Sequence, residues 1–469
     1  MDASSLEQQT ETHPRIVLAV VGVGTLLNTL AGSSINLALP VIGNEMSITV
    51  ELSRWIVLSF MLVGAVLLLG AGRASDLWGH RRVYQAGFVV FGAGSLVCGL
   101  APTFWALVAG RVLQGVGASM NMSASPALLT TSFPGAQRGR ALGLLATATY
   151  TGLTVGPPFG GLLIDAAGWR WIFLLNVPVA LVMVTAGQLF LPRGARREVR
   201  FDRAGMAALV LALPLLLVAL TQGSEWGWRS PLTLGSAGAG LALAVVFVRV
   251  ELGRAEPLLD LRLFRSATFS GAVISAFCNY VAIFVPIILI PFYLLEALEL
   301  GASRAGMLLS IMPLVMALVA SPAGWLSDRL GTRGFAVLGL GLQTVALLGL
   351  GLSGICPREQ CSLVQLGLWL ALMGLGTGVF ITPNSSALMG AAPRAQQGIA
   401  GGVLALARTT GMMTGVSLGT AAFRALGGRT GASWGEASLR ALAAAMMVGA
   451  AVSFVGALAA ALRGRSRSG

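Results

Sequence analysis

Two segments of the chain, Gly72–Arg82 and Gly324–Arg333, repeat one pattern of glycine, aspartate and arginine at a constant offset of 252 residues. Glycine permits a tight turn. Aspartate can pair with arginine or with a helix N-terminus, in contacts that break and re-form when two bodies move. The pattern predicts a gate, and a polar loop that only fixes topology is the alternative. The pattern residues are Gly72, Asp76, Gly79, Arg81 and Arg82 in the first segment, and Gly324, Asp328, Gly331 and Arg333 in the second.

Two arginines, Arg111 and Arg408, fall inside long apolar runs. A charge inside a membrane is costly, so such a residue usually faces a cavity and is functional. Arginine stays protonated, so neither residue is expected to carry a proton. The alternative for each is a structural arginine that caps carbonyls of a neighbouring helix. Other polar residues in apolar runs are candidates for a substrate cavity or for hydrogen bonds between helices, namely Asn28, Asn36, Gln114, Asn279, Tyr280 and Asn384.

One apolar run contains glycines that recur every four residues, and the second of them begins a Gly-Pro-Pro sequence. The glycines leave one helix face without side chains, and the proline removes a backbone donor and bends the helix. Ordinary packing of small residues explains the glycines but not the Gly-Pro-Pro. The motif consists of Gly152, Gly156, Pro157, Gly160 and Gly161.

The composition shows where these residues must lie. Of 469 residues, 55% are hydrophobic and only 10% are charged, whereas a soluble protein has about 25% charged residues. A crossing helix needs about 20 apolar residues. The sequence therefore predicts an all-α membrane protein with fourteen spans: 16–39, 51–71, 83–101, 105–130, 140–164, 171–191, 205–221, 232–249, 268–295, 305–325, 335–354, 363–383, 398–421 and 441–462.

The arginines predict the orientation of these spans. With both termini in the cytoplasm, 21 of the 31 arginines fall on the cytoplasmic side and eight, including Arg54, in the outer loops, as the positive-inside rule requires. Eight spans separate the two gate segments, so both segments face the cytoplasm, as in transporters built from parallel repeats. The predicted organisation is a tail at 1–15, a six-helix bundle at 16–192, a linker with two extra spans at 193–266, a second six-helix bundle at 267–462 and a tail at 463–469.

Other functions have little support in the sequence. The two histidines, His13 and His80, form no metal-ligand pattern with cysteine, and no glycine-rich phosphate loop with Gly-Lys-Ser/Thr is present. We therefore expect neither an enzyme nor direct ATP drive, and no metal or cofactor. The arginines lie in short clusters between apolar runs, which argues against nucleic-acid binding. Cys356 and Cys361 flank a short polar stretch predicted outside, where they form either a disulfide or two free thiols.

The motifs together resemble the major facilitator superfamily. The two gate segments are similar to its helix 2–3 motif and the second-half copy, Arg111-Val-Leu-Gln114-Gly115-Val-Gly117 to its intramembrane arginine motif, and Gly152–Gly161 to its antiporter motif. Fourteen spans, Gly168–Pro178 and Pro257–Phe264 resemble the fourteen-span drug:proton antiporters. The resemblance implies a multidrug or antibiotic exporter of the cell membrane, with two six-helix bundles, a small amphiphilic substrate and a proton gradient as its energy source.

One position departs from that family. Ala31 stands where an acidic residue is usual, five positions before Asn36 in Asn-x-Ala-Leu-Pro. This argues against proton coupling through a carboxylate at the membrane midplane. The acids nearest the membrane interior, Asp165 and Glu296, are therefore candidates to carry the proton. A cavity with two arginines and no midplane acid predicts neutral or anionic substrates. The rival functions are a proton-coupled importer or facilitator and a lipid-translocating or sensory membrane protein.

Overall fold

The computed structural model describes residues 14–192, 203–227, 229–252, 261–355, 357, 361–393, 397–429 and 434–463. Within these residues a helix covers each predicted span. The long helices are α1 (Pro14–Glu45), α2 (Val50–Trp78), α3 (His80–Gly99), α4 (Phe104–Ser132), α5 (Gly135–Ala167), α6 (Arg170–Leu174) with α7 (Asn176–Phe190), α8 (Arg203–Trp226), α9 (Pro231–Leu252), α10 (Ala267–Phe292), α11 (Ala302–Leu330), α12 (Thr332–Gly349), α13 (Leu363–Ala391), α14 (Gln397–Ala425) and α15 (Glu436–Ala461).

The helices differ from the predicted spans in three places. The span 171–191 is divided at Leu175 between α6 and α7, although Leu175 itself keeps α-helical φ and ψ of −64° and −23°. Single π-helical turns extend α10 over Tyr293–Ala297 and α12 over Leu350–Gly354. Eight helices of the described chain are long and apolar enough to cross a membrane, or nine if the bent α2 counts as one crossing. The number of fourteen crossings stays a prediction.

The internal repeat of the sequence has a counterpart in backbone geometry. Gly79 joins α2 to α3, and Gly331 joins α11 to α12; both have φ of 93°. The N–H of Gly79 donates to the Ser75 carbonyl at 3.1 Å, and that of Gly331 to the Ser327 carbonyl at 2.9 Å. This φ is open to glycine and strained for other residues. We call α1–α7 the first half and α10–α15 the second half. The same turn therefore recurs at equivalent points of the two halves.

Short connections reverse the chain between successive helices, so the bundle has two ends. We call the end that carries Pro14 and Leu462 the terminal end, and the opposite end the far end. The extra pair, α8 and α9, packs as a hairpin, and α8 lies against α2 of the first half and α14 of the second. The extra helices thus lie beside the junction of the halves.

Among the described residues, the hydrophobic core is continuous between the halves at the far end and divided at the terminal end. One large cluster at the far end joins residues such as Ile42, Trp169 and Phe104 of the first half to Tyr293 and Phe423 of the second. Toward the terminal end the described core divides into separate clusters. One contains first-half residues around Val20 and Tyr84, and two others contain second-half residues around Phe269 and around Leu340. The halves are therefore joined at the far end and separate at the terminal end.

Candidate functional site

The glycine face of α5 lies against α1, as a close helix contact requires. A Cβ on Gly156 would lie 2.9 Å from the Leu30 carbonyl oxygen, and one on Gly160 would lie 2.8 Å from the Ser34 Cβ. The Ser34 hydroxyl donates to the Gly156 carbonyl at 2.7 Å, and the Ser33 hydroxyl donates to the Gly152 carbonyl at 3.2 Å. The repeated glycines of this motif thus fix α5 on α1.

An adjacent face of the same α5 motif contacts α11 of the second half. A Cβ on Gly161 would lie 2.8 Å from the Ala302 carbonyl carbon, and one on Gly306 would lie 2.8 Å from the Pro157 carbonyl carbon. Just beyond, Asp165 accepts hydrogen bonds from the backbone N–H groups of Ala302 (3.2 Å) and Ser303 (2.9 Å) and from the Ser303 hydroxyl. These N–H groups belong to the first turn of α11, where unpaired donors favour an anion. α5 therefore holds both α1 and α11.

A second contact between the halves involves Arg54, which the sequence placed among the outer-loop arginines. Arg54 is 1% exposed near the start of α2. Its guanidinium donates to the Thr420 hydroxyl of α14 at 2.9 Å and to the Gln222 side-chain oxygen of α8 at 2.9 Å. One arginine therefore joins the first half, the second half and the extra hairpin at the far end. Its place beside a short predicted loop gave no sign of this burial.

Arg111 is buried in α4 and does not line the cavity described below. Its Nε donates to the Ile56 carbonyl of α2 at 2.8 Å, and its Nη1 donates to Gln114 at 2.8 Å. Its guanidinium carbon lies 4.3 Å from the centre of the Phe60 ring. Gln114 in turn donates to Ser95 of α3 at 2.7 Å. This geometry matches the structural alternative for Arg111, and the expectation of two arginines in one cavity does not match the structure.

Arg408 lines a cavity of about 240 Å³ in the terminal half of the bundle. Tyr150 of α5 is the first-half residue in its wall, whereas Tyr280, Asn384 and Arg408 come from α10, α13 and α14. The Asn384 amide donates to the Ala272 carbonyl at 3.2 Å and accepts from Arg463. The remaining wall residues are mostly apolar: Ala276, Phe380, Ile381, Ser385, Met389, Gly401, Leu404 and Ala405. The sequence candidates Tyr280, Asn384 and Arg408 thus meet in one place.

The other asparagine candidates are buried or half-buried within helices. Among described residues, the side-chain oxygens of Asn28, Asn36 and Asn279 have no hydrogen-bond partner, and neither does the Asn279 amide nitrogen. None of the three is among the residues that line the cavity around Arg408. Buried polar atoms without partners are uncommon and point to a changing environment or to solvent access. Their role in transport stays a prediction.

The gate segments lie at the terminal end. Arg81 donates to the carbonyls of Leu191 (3.1 Å) and Gln188 (2.6 Å), and so holds the end of α7. Asp76 is half-buried, and no hydrogen-bond or ion-pair partner for it lies in the described part of the chain. Arg82 and Arg333 are exposed, and the Asp328 side chain lies outside the described residues. No contact between these residues joins the two halves where the structure describes them, as expected where the core is divided.

Glu296, a proton candidate, lies at the far end and accepts from the indole N–H of Trp434 at 2.9 Å. The first half has a similar pair: Glu45, at the end of α1, accepts from the indole N–H of Trp169 at 2.7 Å. Glu45 also pairs with Arg170 at 2.5 Å. These pairs stand at equivalent ends of the first helix of each half. Glu296 therefore holds a helix end rather than lining the cavity.

Three further features complete the candidates. Cys361 has a free thiol that accepts from the Tyr293 hydroxyl at 3.3 Å, and Cys356 lies outside the described residues. Arg463, assigned by sequence to the tail, is 2% exposed and donates to the Gly271 carbonyl at 3.2 Å. The sequence also did not predict a polar network around Gln343, whose side-chain oxygen accepts a hydrogen bond from the Ser453 hydroxyl at 2.9 Å. The contacts of Arg463 and Gln343 arise because helices that are distant in the sequence meet in the fold.

Known proteins resemble the chain over most of its length. The family model described as the Major Facilitator Superfamily matches residues 21–415 and 272–469 of this chain. The riboflavin transporter RibZ of Clostridioides difficile is 31% identical, covering 87% of each chain. The methylenomycin A resistance protein of Bacillus subtilis is 30% identical, covering 89% of each. The multidrug resistance protein Stp of Mycobacterium tuberculosis (strain H37Rv) is 31% identical, covering 86% of this chain and 74% of Stp.

Solved structures show the same fold. A crystal structure of a POT family transporter in complex with a thioalcohol-conjugated peptide has a TM-score of 0.73 over 94% of each chain, at 14% identity. The sequence prediction of an all-α membrane transporter of this family, and not an enzyme, is confirmed. The chain belongs to the major facilitator superfamily and is a multi-pass membrane transporter of small molecules, similar to multidrug and antibiotic resistance proteins.

Proposed function

We propose that the chain exports small amphiphilic compounds across the cytoplasmic membrane by alternating access, in exchange for protons. The observation that carries this proposal is the distribution of the core. One cluster joins the halves at the far end, whereas separate clusters serve each half at the terminal end. A cavity between such halves has access from one side of the membrane at a time, as rocking repeats require.

The fourteen helices would cross the membrane with both termini in the cytoplasm. The arginine distribution supports this orientation, because most arginines adjoin the terminal ends of helices. The cavity around Arg408 would then be open to the cytoplasm in this conformation, which is the side from which an exporter loads. The far-end contacts at Asp165 and Arg54 would have to break before release outside.

The substrates we propose are neutral or anionic amphiphiles. The cavity wall supports this, since it combines an arginine and two tyrosines with apolar side chains, and none of its described residues is acidic. Several relatives carry export or resistance in their names, among them the tetracenomycin C resistance and export protein of Streptomyces glaucescens, 29% identical to this chain.

Proton exchange would act through Asp165 rather than through a midplane carboxylate. Ala31 is buried and apolar where the family usually has an acid. Asp165 is the sequence candidate that accepts hydrogen bonds across the halves. A protonated carboxyl accepts such bonds more weakly. Protonation from outside would therefore loosen the far-end contact and favour release of the substrate. For exchange, the proton would then have to leave to the cytoplasm as the contact re-forms and the carboxylate again accepts the two N–H groups.

A second candidate function is import or facilitated movement of a small metabolite. The riboflavin transporter among the relatives favours it. The test is movement of a panel of charged and neutral dyes in inverted vesicles, with and without an imposed proton gradient. Gradient-driven accumulation supports antiport, accumulation without a gradient contradicts it, and movement only in the opposite direction supports import. Vesicles with the Asp165→Asn variant show whether the gradient acts through that residue.

A further inference from the structure

Arg408 is a cation in the cavity wall for which the described wall residues provide no anionic partner. It stands eleven residues into α14, roughly 16 Å from the helix start at 1.5 Å per residue. Its side chain is half-buried in the cavity wall, and its Nε is buried without a hydrogen-bond partner among described residues. A guanidinium at this depth needs an anion or strong acceptors to offset its lost hydration. The described residues of the wall supply no carboxylate.

The groups around Arg408 suit an aromatic anion. Tyr150 and Tyr280 place two phenol groups in the same wall, and a phenol O–H donates to an anionic oxygen. Arginine presents a planar fork of donors that matches a carboxylate. Phe380, Ile381 and Leu404 supply apolar surface for a ring. Asn384 is already engaged by Ala272 and Arg463, so it is not needed for the anion.

Arg111 does not compete for this role. Its donors are directed to Ile56 and Gln114, and its plane lies over Phe60. Of Arg111 and Arg408, only Arg408 lines the cavity. Arg463 lies behind the wall residue Asn384 and donates to it and to the Gly271 carbonyl, so among the described wall residues Arg408 is the one placed to pair with an anion.

We propose that Arg408, with Tyr150 and Tyr280, forms a subsite for the carboxylate of an aromatic acid, whose ring lies on the apolar wall. The inference rests on the proposed function and names the substrate class of the same cavity. Because Tyr150 belongs to the first half and Arg408 to the second, the bound carboxylate connects the two halves. Binding would therefore draw the terminal ends together, which is the movement that the transport cycle needs next.

The test measures equilibrium binding to the purified protein in lipid nanodiscs, independently of transport. The probes are 2-naphthoate, its neutral methyl ester and 2-naphthylmethylammonium, which share one ring system. We expect the wild-type protein to bind the acid at least tenfold more tightly than the ester, and to bind the cation most weakly. We expect Arg408→Gln to remove the preference for the acid while ester binding stays within about twofold. We expect Arg408→Lys to keep part of the preference, because it keeps the charge but not the planar fork.

Arg440→Gln is the matched control, because Arg440 is exposed in the far-end part of α15 and pairs with Glu436 of the same helix. Equal binding of acid and ester by the wild-type protein would overturn the proposal, as would the absence of binding by either at millimolar concentration. An acid preference that survives Arg408→Gln would also overturn it. If the preference is present and vesicles export none of the probes, the subsite stands and the proposed export function fails.

Discussion

The carboxylate of Asp165 in the first half accepts a hydrogen bond of 2.9 Å from the backbone N–H of Ser303 in the second half. It thereby caps the N-terminus of α11, a role that usually belongs to a residue just before the helix in the same chain segment. Here the cap comes from a residue 138 positions earlier in the sequence. A helix end is thus completed only when the two halves meet at the far end.

Asp165→Asn should shift the protein toward opening at the far end. Asparagine keeps one acceptor oxygen but loses the negative charge at the helix N-terminus, which is worth about 0.3–1 kcal/mol, or roughly a two- to fivefold change in the equilibrium between the two conformations. The shift is measured by distances between spin labels in a background without native cysteines. Labels at the exposed positions Leu100 and Val364 report the far end, and labels at Trp78 and Leu330 report the terminal end.

Glu436→Gln is the control for that experiment, because Glu436 is an exposed acid that pairs with Arg440 within one helix. We expect the far-end distance to grow and the terminal-end distance to shrink in Asp165→Asn only. Unchanged distances would remove Asp165 from the far-end contact.

Gly161→Ala should impair closure at the far end. An added Cβ would meet backbone atoms of Ala302 and Ser303 at 2.8 and 2.9 Å, and backbone cannot move aside as a flexible side chain can. Export should fall at least tenfold in the vesicle assay. The matched control is Gly143→Ala on the same helix, where a Cβ meets no atom within 4 Å. Equal export by the two variants would show that α5 and α11 need not approach so closely.

Gly79→Ala and Gly331→Ala should destabilise the protein by similar amounts. Each residue has φ of 93°, where a side chain adds about 1 kcal/mol of strain. Gly334→Ala serves as the control, because that glycine is helical with open space around it. The Tm in detergent should fall for the first two variants and stay level or rise for the third. A fall in only one of the pair would mean that the two turns are not equivalent.

Asp76→Asn should slow transport without lowering Tm. In this conformation Asp76 has no partner among the described residues, so its loss costs little here. The gate hypothesis places its contacts in the conformation closed at the terminal end, which the cycle must also visit. Vesicle flux and thermal unfolding are measured on the same preparation. Flux equal to that of the wild-type protein would remove Asp76 from the gate.

The family and the positions of the helices could be predicted from the sequence, because they depend on local properties. Apolar length fixes where a helix can cross a membrane, and the gate pattern recurs at a fixed offset that a duplicated half explains. The two glycines with equal φ, Gly79 and Gly331, show that this repeated pattern encodes the same turn twice. The glycine motif around Gly156 correctly predicted close helix packing, although the sequence could not identify α1 as the helix against which it packs.

The tertiary structure decided which polar residues face the cavity and which join helices. Arg111 and Arg408 look alike in the sequence, since each is an arginine in an apolar run, yet one is enclosed by Ile56, Gln114 and Phe60 while the other lines the cavity. Arg54 appeared to be a loop residue and is buried between the halves. The physical reason is that a helix exposes a different face at every residue. Which face is covered depends on neighbouring helices that can lie far away along the chain, by 55 residues for Arg111 and Ile56 and by 366 for Arg54 and Thr420.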